Sequence, residues 1–335
     1  MVISKRYLYD KKPIICLNSI QKKTKKDLEN KIKLKEYEFE KVNCVCCNNT
    51  KFDVLSEKDR YGLWMKTVIC QNCGLIQTNP RMNQKSYNKF YNSLYRKLYV
   101  GSLKPTEYFF KQQTEKGKKI INFIEKNSNI KLKNKNILEI GTGAGGILYE
   151  FKKRGNEVLG IDLGSEYVSF GKKKGLNLKV GTLNILDKNI KADIIIYSHV
   201  FEHTLNPIRE LIDAKKMLKP TGIIYIEVPG VKNINKNYDM DFLRYLQNAH
   251  TYHFTKTTLA NILSKLNLKM LNGTEEIKCI VINSKEKKQI KNDYFITKKF
   301  LKNNEYKRLI LLPYLKIKYL IIKSTINLLK RTFLI

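Results

Sequence analysis

The chain has 335 residues, 42% of them hydrophobic, and a formal net charge of +34. That allows one large domain or two smaller ones and excludes a globally disordered chain. No uncharged apolar run approaches the roughly 20 residues of a membrane span. Lys5, Arg6 and Asp10 break the first twelve residues and argue against a secretory signal, so a cytoplasmic protein is expected. The basic excess suggests polyanionic partners, but only nine of the 64 basic residues are Arg and the lysines are spread over every segment. The bias therefore reads as compositional drift as much as a binding face.

Residues 1–42 are rich in Lys and poor in pattern, which predicts a solvated lead-in with one helix around Lys25 to Tyr37. Two CxxC pairs follow, Cys44/Cys47 and Cys70/Cys73. Each pair can set two thiolates on one side of a tight turn, and two such knuckles close a four-sulfur zinc site. Four cysteines leave no open position, so the expected Zn2+ is structural and stabilises a small ribbon, residues 43–82. Cys46 falls outside the spacing and reads as a bystander. Cys16 and Cys279 read as ordinary thiols. Residues 83–135 form a connector in which Phe90, Tyr91, Tyr95 and Tyr99 recur at helical spacing. That segment is either a packing helix or a lid over the site. An amphipathic helix is predicted from Thr106 to Glu125, with Phe109, Ile120, Ile121 and Ile124 turned inward.

The stretch that organises the rest is residues 137–146, an apolar run ending in Gly141, Gly143, Gly145 and Gly146 and leading into a helical pattern stopped by Gly155. This is a strand, a glycine turn and a helix whose N-terminus offers free N–H groups to a ligand. Gly141, Gly143 and Gly146 satisfy GxGxxG. Glu139 with Gly141, Gly143 and Gly145 satisfies ExGxGxG. A pyrophosphate beside the turn would disfavour the Glu139 carboxylate, whereas a sulfonium and an ammonium tolerate it. Asp162 ends the next apolar strand, 21 residues after Gly141, where a carboxylate can accept from both ribose hydroxyls of an adenosine ligand.

The alternation continues with a helix from Ser165 to Lys174, a strand at Leu178 to Val180 and a buried strand at Ala192 to Ser198. Asn206 and Pro207 open a helix running to Met217. Pro220-Thr221-Gly222 reads as a turn, and Ile223 to Val228 as another strand. Residues 136–285 are therefore expected to form an α/β domain with a doubly wound, mostly parallel sheet, its ligand at the carboxyl ends of the strands. All four histidines lie in two short segments, His199 and His203 after one strand and His250 and His253 in the other. Histidine is the side chain best suited to take a proton near neutral pH.

Residues 286–335 end in a basic stretch. From 308 on, Leu315, Tyr319, Ile322, Ile326, Leu329 and Phe333 mark one helical stripe, with Lys316, Lys323 and Lys330 beside it. This helix either lies on an anionic membrane or packs on the catalytic domain.

The ExGxGxG stretch resembles motif I of the class I S-adenosylmethionine (SAM) methyltransferases, which have a seven-stranded Rossmann-like sheet. Ser198-His-Val-Phe-Glu-His203 and His250-Thr-Tyr-His-Phe-Thr255 are similar to the segments after the fourth and fifth strands in one subfamily of them. A zinc module followed by such a domain resembles the sugar C-methyltransferases and their relatives in surface-polysaccharide and antibiotic pathways. The likeness spans about residues 40–280. It implies a SAM site built from Glu139, Gly141, Gly143, Gly145, Asp162, Leu163, Thr182, Leu183, Ser198 and His199. It also implies a base at His203 or His250 with Glu202 orienting it, and a sugar-like acceptor. The C-methylating members carry a Glu just before the His of the later segment, where this chain has Ala249, which leaves O- or N-methylation open. An RNA methyltransferase, suggested by the charge and the zinc ribbon, is the second reading, and an NAD-dependent oxidoreductase, disfavoured by Glu139, is the third.

Overall fold

The computed structural model describes residues 2–101, 104–286 and 289–332, with side chains given as far as 314 and at 317. The N-terminal part holds helix α1 (Ser19–Lys33) and strands β1 (Phe39–Glu40), β2 (Phe52–Lys58), β3 (Trp64–Cys70), β4 (Ile76–Thr78) and β5 (Arg81–Met82). Helix α2 (Gln84–Phe90), a π-helical turn at Tyr91–Tyr95 and helix α3 (Arg96–Tyr99) lead to the long helix α4 (Glu107–Asn127). The alternating part follows as β6 (Asn136–Ile140), α5 (Gly146–Lys153), β7 (Glu157–Asp162), α6 (Ser165–Lys173), β8 (Leu178–Val180), β9 (Ala192–Ser198), α7 (Pro207–Met217) and β10 (Leu218–Glu227). Short helices α8 (Ile234–Asn237) and α9 (Phe242–Tyr245) precede β11 (Tyr252–His253), α10 (Lys256–Lys265), β12 (Leu268–Gly273), β13 (Lys278–Asn283) and α11 (Tyr294–Thr332).

Seven strands form one sheet in the order β12-β13-β10-β9-β6-β7-β8. The run β10-β9-β6-β7-β8 is parallel, and β13 lies antiparallel between β10 and β12. A parallel sheet covered on both faces needs strands apolar on both sides. Ile194, Ile195, Ile196 and Tyr197 of β9 are accordingly fully buried, alternating between the two core clusters. Helix α4 covers one face with Phe110, Ile120, Ile121 and Ile124. Phe110 takes the buried place expected of Phe109, which is only partly buried. The helix crosses α5 so closely that a Cβ on Gly117 would meet the Ile147 carbonyl at 2.9 Å.

The second sheet, β11-β4-β3-β2, joins distant parts of the chain. Tyr252 and His253 pair antiparallel with Gln77 and Ile76, so the cysteine-bearing module and the segment after β10 share one hydrogen-bonded unit.

Three expectations need correction. The lead-in is not merely solvated but anchored: Tyr7 is 1% exposed, and Arg6 pairs with Asp241 (2.7 Å) and Glu305 (3.1 Å). Those partners are far away in sequence, so no local pattern announced them. Its helix begins at Ser19 rather than Lys25, because Asn18 and Gln21 close a capping box there. Pro220-Thr221-Gly222 is not a separate turn but an irregular stretch inside β10, where the register against β9 shifts between Leu218 and Ile223.

Helix α11 packs its start on the N-terminal sheet, where Tyr294 and Lys298 both bond to Asp53 and Leu301 is buried. Tyr306, Ile310, Tyr314 and Ile317 are exposed. The side chains of the predicted stripe from Leu315 to Phe333 lie outside the described residues. No helix among the described residues is long and apolar enough to cross a membrane.

Candidate active site

The glycine turn follows β6. Gly141, Gly143 and Gly145 have φ of 67°, 56° and 78°, the left-handed region in which a side chain is strained. Asp162, at the tip of β7, braces the turn. Its Oδ2 accepts from the Gly143 N–H (2.8 Å) and its Oδ1 from the Gly164 N–H (2.7 Å). Beneath the turn Glu139 is 1% exposed and accepts from the Thr142 hydroxyl at 2.7 Å. Burial pushes its carboxyl up to about 8. The Gly181 N–H donates to the Asp162 carbonyl (2.9 Å), which brings Thr182 and Leu183 beside it. Thr182 and Leu163 are exposed and Leu183 is buried.

Two side chains from the connector reach this turn. Gln113 of α4 donates to the Thr142 carbonyl (3.3 Å) and accepts from the Gly146 N–H (3.5 Å). Arg96 lies 3.6 Å from Asp162 Oδ2, its guanidinium 4.3 Å above the Tyr167 ring centroid. Arg96 thus touches the carboxylate expected to receive the ribose. Beside it Tyr91, Tyr95 and Tyr99 stack at 4.3 and 5.6 Å.

The histidine cluster lies against the same turn. A Cβ placed on Gly141 would come within 2.3 Å of Val200, which sits between His199 and Glu202. His199 follows β9 with φ 56° and donates its N–H to the Glu227 carbonyl (2.8 Å). Ser198 Oγ donates to Glu227 Oε2 (3.1 Å). Burial alone would raise Glu227, but Lys116, His199 and Lys278 outweigh it and hold the carboxyl below its ordinary range.

Glu202 is 1% exposed. Its Oε1 is 3.6 Å from His199 Nδ1, 3.8 Å from His203 Nε2 and 3.8 Å from His250 Nε2. Neither carboxylate oxygen has a hydrogen-bond partner among the described residues. Glu202, His203 and His250 offer atoms within 4.8 Å of one another, close enough to share a proton or to hold a cation.

His203 Nδ1 lies 2.6 Å from the Tyr91 hydroxyl and 3.0 Å from the Ala249 carbonyl. The Tyr87 hydroxyl is within reach of the His203 carbonyl (2.5 Å) and the Ala249 carbonyl (2.8 Å), pinning the two segments together. Burial lowers the pKa of both His203 and His250, and neighbouring imidazoles lower His250 further. Both rings are neutral at pH 7. Neither ring nitrogen of His253 has a hydrogen-bond partner among the described residues, and burial pushes its pKa down to about 3.

The four predicted metal-binding cysteines converge. Cys44 and Cys73 sulfurs are 3.5 Å apart, as are those of Cys47 and Cys70, and all four lie within 4.8 Å of one another. A tetrahedral zinc with Zn–S bonds of about 2.3 Å needs sulfurs roughly 3.8 Å apart, so the donor set fits.

Residues 110–272 match the family model described as a methyltransferase domain. The chain contains a methyltransferase domain. Its glycine turn and seven-stranded order are those of the class I, SAM-dependent kind. Ubiquinone biosynthesis O-methyltransferase of Coxiella burnetii is 27% identical over 116 residues, 32% of this chain and 47% of that protein. The chain therefore spans about half the length of the curated relatives it matches. Among solved structures, an S-adenosylmethionine-dependent methyltransferase from Clostridium acetobutylicum ATCC 824 has a TM-score of 0.41 at 15% identity, covering 59% of this chain and 99% of that one. Magnesium protoporphyrin IX methyltransferase from Synechocystis PCC 6803, with bound SAH, has a TM-score of 0.43 at 14% identity, covering 60% and 100%.

Beside the glycine turn and the histidines lie groups that sequence reasoning missed. Gln113, Arg96 and Glu227 carry no motif. Tyr91 was visible only as one of several tyrosines at helical spacing.

Proposed function

We propose that the protein transfers a methyl group from SAM to a small, sugar-like acceptor, a sugar or nucleotide-sugar of glycan biosynthesis, and that the acceptor atom is a hydroxyl oxygen. The supporting observation is the direct contact between the glycine turn, at Gly141, and the His199–His203 segment, at Val200. Donor and base then meet at the carboxyl ends of β6, β7 and β9. Glu139, Gly141, Gly143, Gly145 and Asp162 hold the donor, with Leu163, Thr182, Leu183, Ser198 and His199 around it. Bound there, SAM supplies an electrophilic methyl. The chain's own residues align the acceptor, exclude water and take its proton.

His203 is the better-placed base. Donation of its Nδ1–H to the Ala249 carbonyl leaves the Nε2 lone pair free for the acceptor. The Glu202 carboxylate stabilises the imidazolium that forms. His250 stands in the same relation to Glu202. The O-methylating name of the curated relative and the absence of a Glu before His250 both favour oxygen over carbon. A structural zinc at Cys44, Cys47, Cys70 and Cys73 belongs to this reading. The RNA reading rests on the charge and the zinc ribbon, and that charge is mostly scattered Lys. A cytoplasmic protein that touches anionic membrane through 308–335 is compatible with the exposed apolar residues Ile310, Tyr314 and Ile317; co-sedimentation of the full chain with anionic vesicles tests it.

The test is single-turnover transfer to candidate sugar nucleotides by the His203→Ala and His250→Ala variants. A positioned base contributes roughly 10²–10⁴-fold, so at least one variant is expected to lose that much with its affinity for S-adenosylhomocysteine unchanged. Wild-type rates in both remove the histidine base.

A further inference from the structure

Seven of the eight arginines whose side chains are described lie at ion-pair distance from a carboxylate. Arg60 is the eighth, and it has none. The acid next to it in sequence is already committed elsewhere. Asp59 accepts from the N–H groups of Tyr61 (2.9 Å), Leu63 (2.9 Å) and Asn248 (3.0 Å). Among the described residues Arg60 Nη2 donates only to neutral oxygens, the Tyr61 hydroxyl (2.9 Å) and Gln247 Oε1 (2.5 Å), and its buried Nε has no partner. The guanidinium sits 5.0 Å from the Tyr61 ring and 5.7 Å from the Tyr99 ring.

A half-buried guanidinium whose hydrogen bonds go to neutral groups has lost hydration, and the nearby Asp59 only partly offsets the charge, without pairing directly. Its planar fork is shaped for carboxylate and phosphate oxygens. Its position relates that shape to the reaction. The Gln247 side chain that accepts from Arg60 also abuts His250 Nε2, so the free fork lies one amide away from the Glu202–His203–His250 cluster. Tyr99, 45% exposed, ends the tyrosine stack that reaches His203 through Tyr91.

We propose that Arg60, supplied by the N-terminal module, binds an oxyanion of the acceptor, a phosphate or carboxylate group, while the hydroxyl to be methylated faces His203 and His250. This rests on the methyltransferase reading above and names the acceptor as an anionic molecule. Arg60 is thereby a specificity-determining residue, and the module contributes to substrate selection as well as to stability.

The full-length, zinc-loaded protein is titrated calorimetrically with S-adenosylhomocysteine, and its complex with inorganic pyrophosphate and then malonate. Salt is kept at about 0.15 M, where surface charges are largely screened. The wild type is expected to bind at least one anion, and Arg60→Gln to weaken it about tenfold or more, the share of one charge-assisted contact, with S-adenosylhomocysteine affinity unchanged. Preference for pyrophosphate identifies a phosphorylated acceptor, and preference for malonate a carboxylated one. Gln247→Glu, which gives Arg60 an internal carboxylate, is expected to lose the anion in the same way and serves if Arg60→Gln does not fold. Normal S-adenosylhomocysteine binding with no anion binding, or with anion binding indifferent to these substitutions, overturns the proposal alone. No S-adenosylhomocysteine binding by the wild type overturns the methyltransferase reading together with it.

Discussion

The proposed donor side and the proposed acceptor side of this site are built in opposite ways. The donor side is nearly contiguous: Glu139 to Gly146 form one strand, turn and helix start, and Asp162 ends the next strand. The acceptor side is assembled from pieces far apart in the chain: Arg60, Tyr91, Glu202, His203, Gln247 and His250. It depends on a sheet in which β4 of the N-terminal module pairs with β11. The difference teaches that a fold can fix its cofactor site locally and still leave substrate recognition to long-range packing. The two halves should then fail separately.

The widest separation is expected on breaking the cysteine cluster. A structural zinc site supplies on the order of 10 kcal/mol of folding free energy. Cys70→Ser should therefore lose bound zinc, measured by elemental analysis, and abolish methyl transfer, while S-adenosylhomocysteine affinity falls far less. Equal loss of both would mean that the halves are one cooperative unit.

Asp162→Asn attacks the other half. Losing a charge-assisted acceptor costs about 1.5–3 kcal/mol, a weakening of S-adenosylhomocysteine of roughly 10- to 150-fold by calorimetry, with binding of acceptor-side anions unaffected.

The smallest and most specific effect concerns Glu139. Its folded-state pKa of about 8 lies above the ordinary 4.5, so the folded, donor-free protein holds a proton that the unfolded chain releases. The stability this contributes is complete below pH 4.5 and is lost as pH rises through 8. The donor's ammonium favours the carboxylate, so donor binding expels that proton. Affinity for S-adenosylhomocysteine should rise with pH, by at most about tenfold per unit, and level off above about 8. Glu139→Gln should flatten the profile and make the donor-free protein more heat-resistant at pH 9 than the wild type. A wild-type profile flat from pH 6 to 9 would place Glu139 outside the donor's field.

The same contrast explains what could be read in advance. The strand and helix alternation of 137–228, the glycine turn, Asp162 and the paired cysteines depend on spacing over a few residues, and they were legible. Glu202, His203 and His250 were legible as residues, but their convergence on one carboxylate oxygen was not, because Tyr87, Gln247 and the β4–β11 pairing bring them together. Arg60 and Arg96 looked like two more charges in a basic chain. Only their surroundings show that Arg96 faces a carboxylate at ion-pair distance and Arg60 faces neutral oxygens. The anchoring of the lead-in was missed for a related reason: Arg6 finds its acids at Asp241 and Glu305, beyond any window of local pattern.

The shared edge between β4 and β11 sets a limit on dissection. Cutting the chain near residue 83 to isolate a portable donor-binding unit would strip the hydrogen-bonding partner from Tyr252 and His253 and take Cys44, Cys46, Cys70, Cys73 and Leu75 out of the core cluster that also holds Tyr252 and Phe254. A chimera that grafts the front module of another protein onto this body must reproduce that seam strand for strand, because the seam also carries the loop that presents His250.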